Sequence, residues 1–444
     1  MKYSSALYHI LKPLIQLCLK IFFRRIEVEG LEKMPENAPI LFTPNHQSAF
    51  MDAIVVACLV PQAVHSVTRA LVFESPPVAW LLRKLNMMPI YRIRNGIQNL
   101  AKNEATFDHC VELLQHQQSV LIFPEGSQNV VKKVRPLSKG FSRIVFRAEQ
   151  SKDFDLGLQI IPVGINYSQT TQFRGDLYLR FGAPMQVQDL KEMHAEQPQQ
   201  SMNLLRKNLQ TELQKEVLHI GNTPHYETIK FLSTHFYRFF AANASATKAP
   251  KSSTELFALQ KQSIQNLENF GAQEPAKMQV LAEKVEAYRQ KLKVLQLLPE
   301  AFEEHSPSTF AEKMKLILLA PIAAYGYFNH YLACKIPQIL TYKLFKDPSF
   351  FASMKLGFGL LFFIVFYLLQ TLLVGIFTQS STIAALYLGS LIISGTITLQ
   401  LLQSFQNWRL KRQKQSIQKK KPLDWKEVKD LFDEISGSFN LFTH

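Results

Sequence analysis

The feature that most constrains this chain is a long run without charged side chains near its C-terminal end. From Leu356 to Trp408, 53 consecutive residues include no Asp, Glu, Lys or Arg. Because one helical crossing of a bilayer takes about 20 apolar residues, the run is long enough for two. We therefore predict a helical hairpin with membrane spans at about residues 356–377 and 383–403, joined by a polar turn at 378–382.

Basic residues on both sides of this run predict its orientation. Positively charged flanks stay on the cytoplasmic side of a membrane, and the flanking residues are Lys343, Lys346, Lys355, Arg409, Lys411, Arg412, Lys414 and Lys419 to Lys421. Both flanks, including a basic tail at 406–444, are therefore expected in the cytosol. Within a membrane region at 311–405, residues 316–334 are also uncharged, but Pro321 and His330 interrupt them. An interfacial or re-entrant segment is favoured there over a third span.

The N-terminal residues 1–25 resemble a helix that lies in the membrane interface. Apolar residues recur at helical spacing between residues 6 and 23, and Lys12, Lys20, Arg24 and Arg25 border them. This combination is typical of interfacial amphipathic helices. A helix in the core of the following domain is the alternative.

Between residues 26 and 220, short apolar strands alternate with helices. Strands are predicted at 39–44, 119–123, 158–165 and 176–181, and helices at 52–60, 76–86, 97–116 and 138–149. This alternation predicts an α/β layered domain. Residues 221–310 are polar and mostly helical, and nothing in them indicates a role.

The formal net charge of +15 requires an anionic partner or surface. The membrane run favours lipid, and the sequence has no zinc-finger, helix-turn-helix or RNA-recognition motif, so no nucleic acid is expected. Its four cysteines are far apart, so no metal site is expected from them.

The segment with the clearest chemistry is NHQSAFMD at residues 45–52, which follows a buried strand and opens a helix. His46 has a side chain that can act as a general base near neutral pH. A neighbouring carboxylate, here Asp52, can hold such an imidazole in one tautomer. Taken alone, a His and an Asp at a helix start more often serve capping.

Four further segments follow in order. Residues 88–94 end in Arg92 and Arg94, whose guanidinium groups suit phosphate. Residues 121–127 form a strand that runs into the turn Pro124, Glu125, Gly126, Ser127. Basic residues then precede Lys139 and Gly140, and a last strand at 160–164 contains a proline.

Together, these five segments resemble the motifs of the glycerolipid acyltransferase family, which includes glycerol-3-phosphate and 1-acylglycerol-3-phosphate acyltransferases. The resemblance covers about residues 25–185. It implies a layered domain with a central mixed sheet flanked by helices, on the cytoplasmic side of the membrane. It also implies transfer of an acyl chain from acyl-CoA or acyl-carrier protein to the hydroxyl of 1-acyl-glycerol 3-phosphate or glycerol 3-phosphate.

The resemblance also implies roles for single residues. His46 would deprotonate the acceptor hydroxyl, and Asp52 would orient His46. The remaining residues would bind substrate: Arg92 and Arg94 would hold the acceptor phosphate with help from Lys139, and the acceptor pocket would include Asn45, Glu125, Gly126 and Ser127. The chemistry needs no metal and no organic cofactor, only the acyl thioester as co-substrate.

Two departures from the family pattern leave alternatives open. Five residues separate His46 from Asp52 where the family usually has four, so a loop or bulge must absorb the extra one. Gln128 stands where the family often has Arg, and Lys132, Lys133 or Arg135 would have to compensate. An acyltransferase for a phosphate-free lipid acceptor, or a non-catalytic lipid-binding membrane protein, remains possible on these grounds.

Overall fold

The computed structural model describes residues 4–91, 101–222, 224–240, 250, 252–299 and 310–439. The chain forms two compact units. The first comprises Met1–His219 and Phe345–Leu356, and the second comprises Ile220–Leu344 and Gly357–His444. The short segment Phe345–Leu356 thus belongs with the N-terminal part of the chain, although it lies next to the apolar run in sequence.

A seven-stranded sheet forms the centre of the first unit. Its strands are β1 (Arg25–Glu29), β2 (Ile40–Pro44), β3 (Val64–Arg69), β4 (Met87–Ile90), β5 (Ser119–Leu121), β6 (Gln159–Tyr167) and β7 (Asp176–Phe181). They lie in the order β1-β7-β6-β2-β5-β3-β4. Among the strands described, β6 and β7 pair antiparallel and the other neighbours pair parallel. The predicted mixed sheet of an α/β domain is therefore confirmed.

Helices cover both faces of this sheet. They are α1 (Ala6–Phe22), α2 (Ala49–Leu59), α3 (Pro76–Lys84), α4 (Asn103–Gln115), α5 (Gly140–Gln150), α6 (Lys191–Glu196) and α7 (Pro198–Glu216). Successive residues of β2 point to opposite faces. Leu41 joins the core formed with α4, α5 and α7, whereas Phe42 joins the core formed with α1 and α2. Burial on both faces explains why β2 and most of β6 are apolar runs without alternation.

Helix α1 directs polar side chains inward. Lys12 donates through Nζ to the carbonyl oxygens of Val60, Pro61 and Gln62 at 2.7, 3.2 and 2.8 Å. It thereby satisfies carbonyl groups where α2 ends, which have no partner within the helix. The sequence predicts that Lys12 borders the apolar face of an interfacial helix. In the structure, Lys12 points toward α2, and the outward face of α1 is apolar, with exposed Ile10, Leu14, Leu17 and Ile21.

The second unit is helical in its described part. It contains α8 (Tyr226–His235), α9 (Ser253–Gln273), α10 (Pro275–Val294), α11 (Phe310–Leu344), most of α12 (Phe351–Thr378), α13 (Ser381–Lys420) and α14 (Pro422–Ser438). By length and composition, three stretches could cross a membrane: Met314–Leu344, Pro348–Thr378 and Ser381–Lys420. The two spans predicted from the sequence fall within α12 and α13. The interfacial or re-entrant segment expected at 316–334 lies within α11, which continues as one helix through Pro321 and Pro337.

Candidate active site

A cleft of about 940 Å³ opens where several parallel strands end. Its lining includes residues that follow β2, β3, β4 and β5 in the chain. These are His46, Leu71, Val72, Tyr91, Ile122, Phe123 and Glu125 to Gln128. The carboxyl ends of parallel strands meet at one edge of a sheet, and ligands of open α/β sheets bind there. The sequence-predicted residues that line the cleft are His46, Glu125, Gly126, Ser127 and Lys139.

His46 and Asp52 form a hydrogen-bonded pair beside this cleft. His46 Nδ1 lies 2.9 Å from Asp52 Oδ2, and the Asp52 side chain is fully buried. The same oxygen accepts the backbone N–H groups of Gln47 and Ser48, each at 2.7 Å. The other carboxylate oxygen accepts from the Tyr167 hydroxyl at 2.8 Å. Four donors converge on one buried carboxylate, which is the environment that stabilises its ionised form.

The loop before α2 accommodates the extra residue between His46 and Asp52. Helix α2 begins at Ala49, which has a positive φ of 32°, and Ser48 before it is non-helical with φ −129° and ψ 60°. Asp52 therefore sits in the first turn of α2, and the loop folds back far enough for its carboxylate to reach the imidazole. A non-glycine residue in this region of φ costs of order 1–3 kcal/mol, which the bonds to Asp52 offset.

The imidazole of His46 is held from a second side by Phe123. The two rings stack with centroids 3.8 Å apart and an angle of 14° between their planes. Because the partner of Nδ1 is a carboxylate, which only accepts, Nδ1 carries the proton in the neutral ring and Nε2 is the basic nitrogen. The arrangement can therefore take a proton at Nε2 and stabilise the resulting imidazolium.

Glu125 is an internal support of the site rather than an exposed carboxylate. Its Oε1 accepts the backbone N–H of His46 at 3.2 Å, and its Oε2 lies 2.6 Å from Nε of Arg135. The Arg135 guanidinium also donates to two oxygens of Ser127, the side-chain Oγ at 2.7 Å and the backbone carbonyl oxygen. Burial raises the pKa of Glu125 to about 7, and the adjacent Arg135 opposes this rise.

Arg135 thus reaches the turn in which Gln128 replaces the usual arginine. Of the three basic residues that the sequence offered as compensation, Arg135 binds Glu125 and Ser127 and so braces the turn. Gln128 itself lines the cleft. Gly126 has a positive φ of 70°, which glycine adopts without strain, and this tight turn places Glu125 and Ser127 around the Arg135 guanidinium.

Three arginines that line the cleft were not identified from the sequence. Arg69 is the last residue of β3, Arg143 lies one helical turn after Lys139, and Arg206 comes from α7. Arg206 is anchored by its Nε, which donates to the carbonyl of Leu137 at 2.9 Å. The spacing of Lys139 and Arg143 on one helix face was the available signal. Together with Lys139, these side chains make part of the lining cationic.

The remaining predicted residues have different positions. Asn45 is buried, and its side-chain amide pairs with the backbone of Ile165: Nδ2 donates to the carbonyl at 3.1 Å and Oδ1 accepts from the N–H at 2.7 Å. It therefore ties the His46 loop to β6. Arg92 and Arg94 lie outside the described residues. Tyr167 was missed, because 115 residues separate it from Asp52 and only the sheet order brings them together.

Comparisons with known proteins were consistent with this geometry. A family profile described as "Acyltransferase" matches residues 25–166. A chloroplastic 1-acyl-sn-glycerol-3-phosphate acyltransferase of Brassica napus is 24% identical over 165 residues, which are 36% of this chain and 43% of that protein. A chloroplastic protein of the same name from Arabidopsis thaliana is 25% identical over 144 residues, which are 32% of this chain and 36% of that protein. The chain thus spans less than half the length of these curated relatives.

One solved structure was also matched. It is the crystal structure of the 1-acyl-sn-glycerophosphate acyltransferase of Thermotoga maritima, which is 19% identical, with 45% of this chain and 79% of that chain covered and a TM-score of 0.32. The match to the family described as "Acyltransferase" covers the part of the chain that contains His46, Asp52 and Glu125.

Proposed function

We propose that this protein is a membrane-bound O-acyltransferase. It would move an acyl chain from acyl-CoA or acyl-carrier protein to the hydroxyl of 1-acyl-glycerol 3-phosphate or glycerol 3-phosphate. The observation that carries the proposal is the hydrogen bond between His46 Nδ1 and Asp52 Oδ2, with His46 lining a cleft at the sheet edge. The pair places an oriented imidazole where a ligand can reach it.

The reaction follows from that arrangement. The acceptor hydroxyl gives its proton to Nε2 of His46 while its oxygen attacks the thioester carbonyl carbon. Asp52 stabilises the imidazolium that forms. Collapse of the tetrahedral intermediate breaks the C–S bond, and the imidazolium returns the proton to the departing thiolate. The acyl chain passes directly between substrates, so the scheme has no acyl-enzyme and uses no metal or organic cofactor.

A phosphate on the acceptor suits the charge of the cleft. Lys139, Arg143 and Arg206 line it together, and Arg92 and Arg94 are predicted from the sequence to add to them. Guanidinium groups bind phosphate oxygens in pairs. The plant relatives carry the name of 1-acyl-glycerol-3-phosphate acyltransferases, which favours the 1-acyl acceptor over glycerol 3-phosphate in this proposal.

The membrane location is part of the same proposal. Helices α12 and α13, which contain the charge-free run, are long and apolar enough to cross a bilayer, and basic residues flank that run on both sides. Cytoplasmic retention of such flanks would place the acyltransferase domain on the cytoplasmic side, where acyl-CoA and acyl-carrier protein are made available.

The test is acyl transfer by the purified, detergent-solubilised protein. Both acceptors are offered separately with each thioester carrier, and His46→Ala is compared with His109→Ala, which removes a half-exposed histidine on α4. We expect turnover of a phosphate-bearing acceptor that His46→Ala abolishes and His109→Ala retains. Turnover of phosphate-free lipids alone would support the alternative acceptor. No turnover from folded protein would support a non-catalytic role.

A further inference from the structure

The segment just before the apolar run is built into the acyltransferase domain. In the first unit, Ala352 is buried in the core that includes α1 and α2. Lys355 Nζ donates to the carbonyl of Thr171 at 2.9 Å. Ser349, in the short 3-10 helix Pro348–Phe350, is buried against the start of α2. These contacts fix the segment to the domain at several points.

One residue of this segment is a wall of the cleft. Phe350 lines the cleft, and its ring lies 6.2 Å from that of Phe50, which also lines it. The neighbouring Ser349 carbonyl accepts from Ser48 Oγ at 3.4 Å. Ser48 also donates its N–H to Asp52. The segment therefore contacts the loop that positions the His46–Asp52 pair.

Chain connectivity brings this wall close to lipid. Helix α12 begins at Phe351, and the charge-free run begins at Leu356. At a rise of 1.5 Å per residue, the six residues from Phe350 to Leu356 span about 9 Å. If α12 crosses the membrane, as its length and composition allow, Phe350 lies within about two helical turns of the hydrocarbon boundary.

The lining of the cleft also has two chemical characters. Phe50, Ala53 and Phe350 contribute apolar surface, whereas Lys139 and Arg143 contribute positive charge. Such a lining matches an amphiphile with an anionic head and a hydrocarbon chain. A bilayer-resident acceptor has this structure and reaches the cleft from the membrane, whereas an acyl thioester on CoA or carrier protein arrives from the aqueous side.

We propose that Phe50 and Phe350 form the site through which the acyl chain of a bilayer-resident acceptor enters and is held. The inference rests on the proposed function, because it assigns a chain-binding site for the acceptor of that reaction. The residues at the start of α12 then help to determine which acceptor the acyltransferase domain binds, and they do not only anchor the protein in the membrane.

The first test is photolabelling in phosphatidylcholine proteoliposomes. The probe is 1-acyl-glycerol 3-phosphate with a diazirine at the end of its acyl chain, and His46→Ala protein is used so that no acyl transfer redistributes the label. We expect label on peptides that contain Phe50 or Phe350, competed by unlabelled acceptor. Label confined to other parts of the chain, or stronger label at these residues from acyl-CoA with the same diazirine, would overturn the inference.

The second test uses turnover. Phe350→Ala is compared with Phe351→Ala, which changes the next aromatic residue, one that does not line the described cleft. A hydrophobic pocket discriminates between chains that differ by one methylene by about 10- to 200-fold, so loss of the ring should change the chain-length preference by about tenfold or more. We expect the KM ratio between short- and long-chain acceptors to shift by that factor in Phe350→Ala only. Equal ratios in both variants would refute the site, whereas inactive wild-type protein would refute the proposed function instead.

Discussion

Replacing Asp52 by Asn isolates the charge of the buried carboxylate from its hydrogen bonds. Three donors reach Oδ2, from His46, Gln47 and Ser48, and one reaches Oδ1, from Tyr167. The amide oxygen should therefore take the Oδ2 position. The amide NH₂ then faces the Tyr167 hydroxyl, which can rotate to accept from it. The contacts persist, and only the negative charge is lost.

The size of the effect follows from the distance between the two groups. The imidazolium and carboxylate of a directly bonded pair have charge centres about 4 Å apart, and at an effective dielectric constant of about 20 they attract by about 4 kcal/mol. Loss of that stabilisation in the transition state corresponds to about a thousandfold lower kcat. The KM for the acceptor should change far less, because Asp52 is fully buried and does not line the cleft.

The assay is steady-state acyl transfer with thermal unfolding measured on the same preparations. Tyr167→Phe is the matched control, because it removes the bond to Oδ1 and keeps the charge. It should cost about 1 kcal/mol of stability and lower kcat by less than about tenfold. If correctly folded Asp52→Asn kept kcat within about tenfold of wild type, the Asp52 charge would not stabilise the protonated His46 in the transition state.

Three further predictions concern the surroundings of this pair. Arg135→Ala should lower the free energy of unfolding by about 3–5 kcal/mol, because it leaves the buried Glu125 carboxylate without its partner. Thermal or denaturant unfolding measures this loss. The double variant that also carries Glu125→Gln should recover part of the lost stability. Burial raises the pKa of Glu125 from 4.5 to about 7, so the folded protein keeps a proton that the unfolded chain has lost. This contribution to stability is complete below about pH 4.5 and is lost as the pH rises to about 7; unfolding followed across that window should show a steeper decline in wild type than in Glu125→Gln. Arg92→Ala should raise the KM for the phosphate-bearing acceptor before it changes kcat, and a selective rise in the KM for the acyl donor would contradict its assigned role.

The sequence predicted the buried strands well and the polar edges poorly. Strands β2 and β6 were predicted because burial on both faces makes them nearly continuous apolar runs, and β7 was predicted from its alternation of apolar and polar residues. Strand β1 was not, since its sequence RIEVE carries three charges and it pairs only at the edge of the sheet. Strand β3, VHSVTR, was not predicted either. It buries the polar residues His65 and Ser66, so its sequence does not show the periodic apolar pattern of a strand.

The site shows the same limit. The motifs identified His46, Asp52 and the Glu125 turn, because each motif is a short segment of the chain that follows a strand. Tyr167, Arg206 and Phe350 come from distant parts of the chain. Their positions depend on strand order and on how α7 and the segment before α12 pack, and neither can be obtained from local spacing.

The longer loop between His46 and Asp52 has a physical consequence for the pair. Ala49 in this loop has a positive φ, and the same path brings two successive backbone N–H groups, from Gln47 and Ser48, onto Asp52 Oδ2. A buried carboxylate without such donors would favour its neutral form and could no longer stabilise an imidazolium. The departure from the usual spacing therefore does not argue against catalysis, because the loop that creates it supplies two of the hydrogen bonds that hold the Asp52 carboxylate in place beside His46.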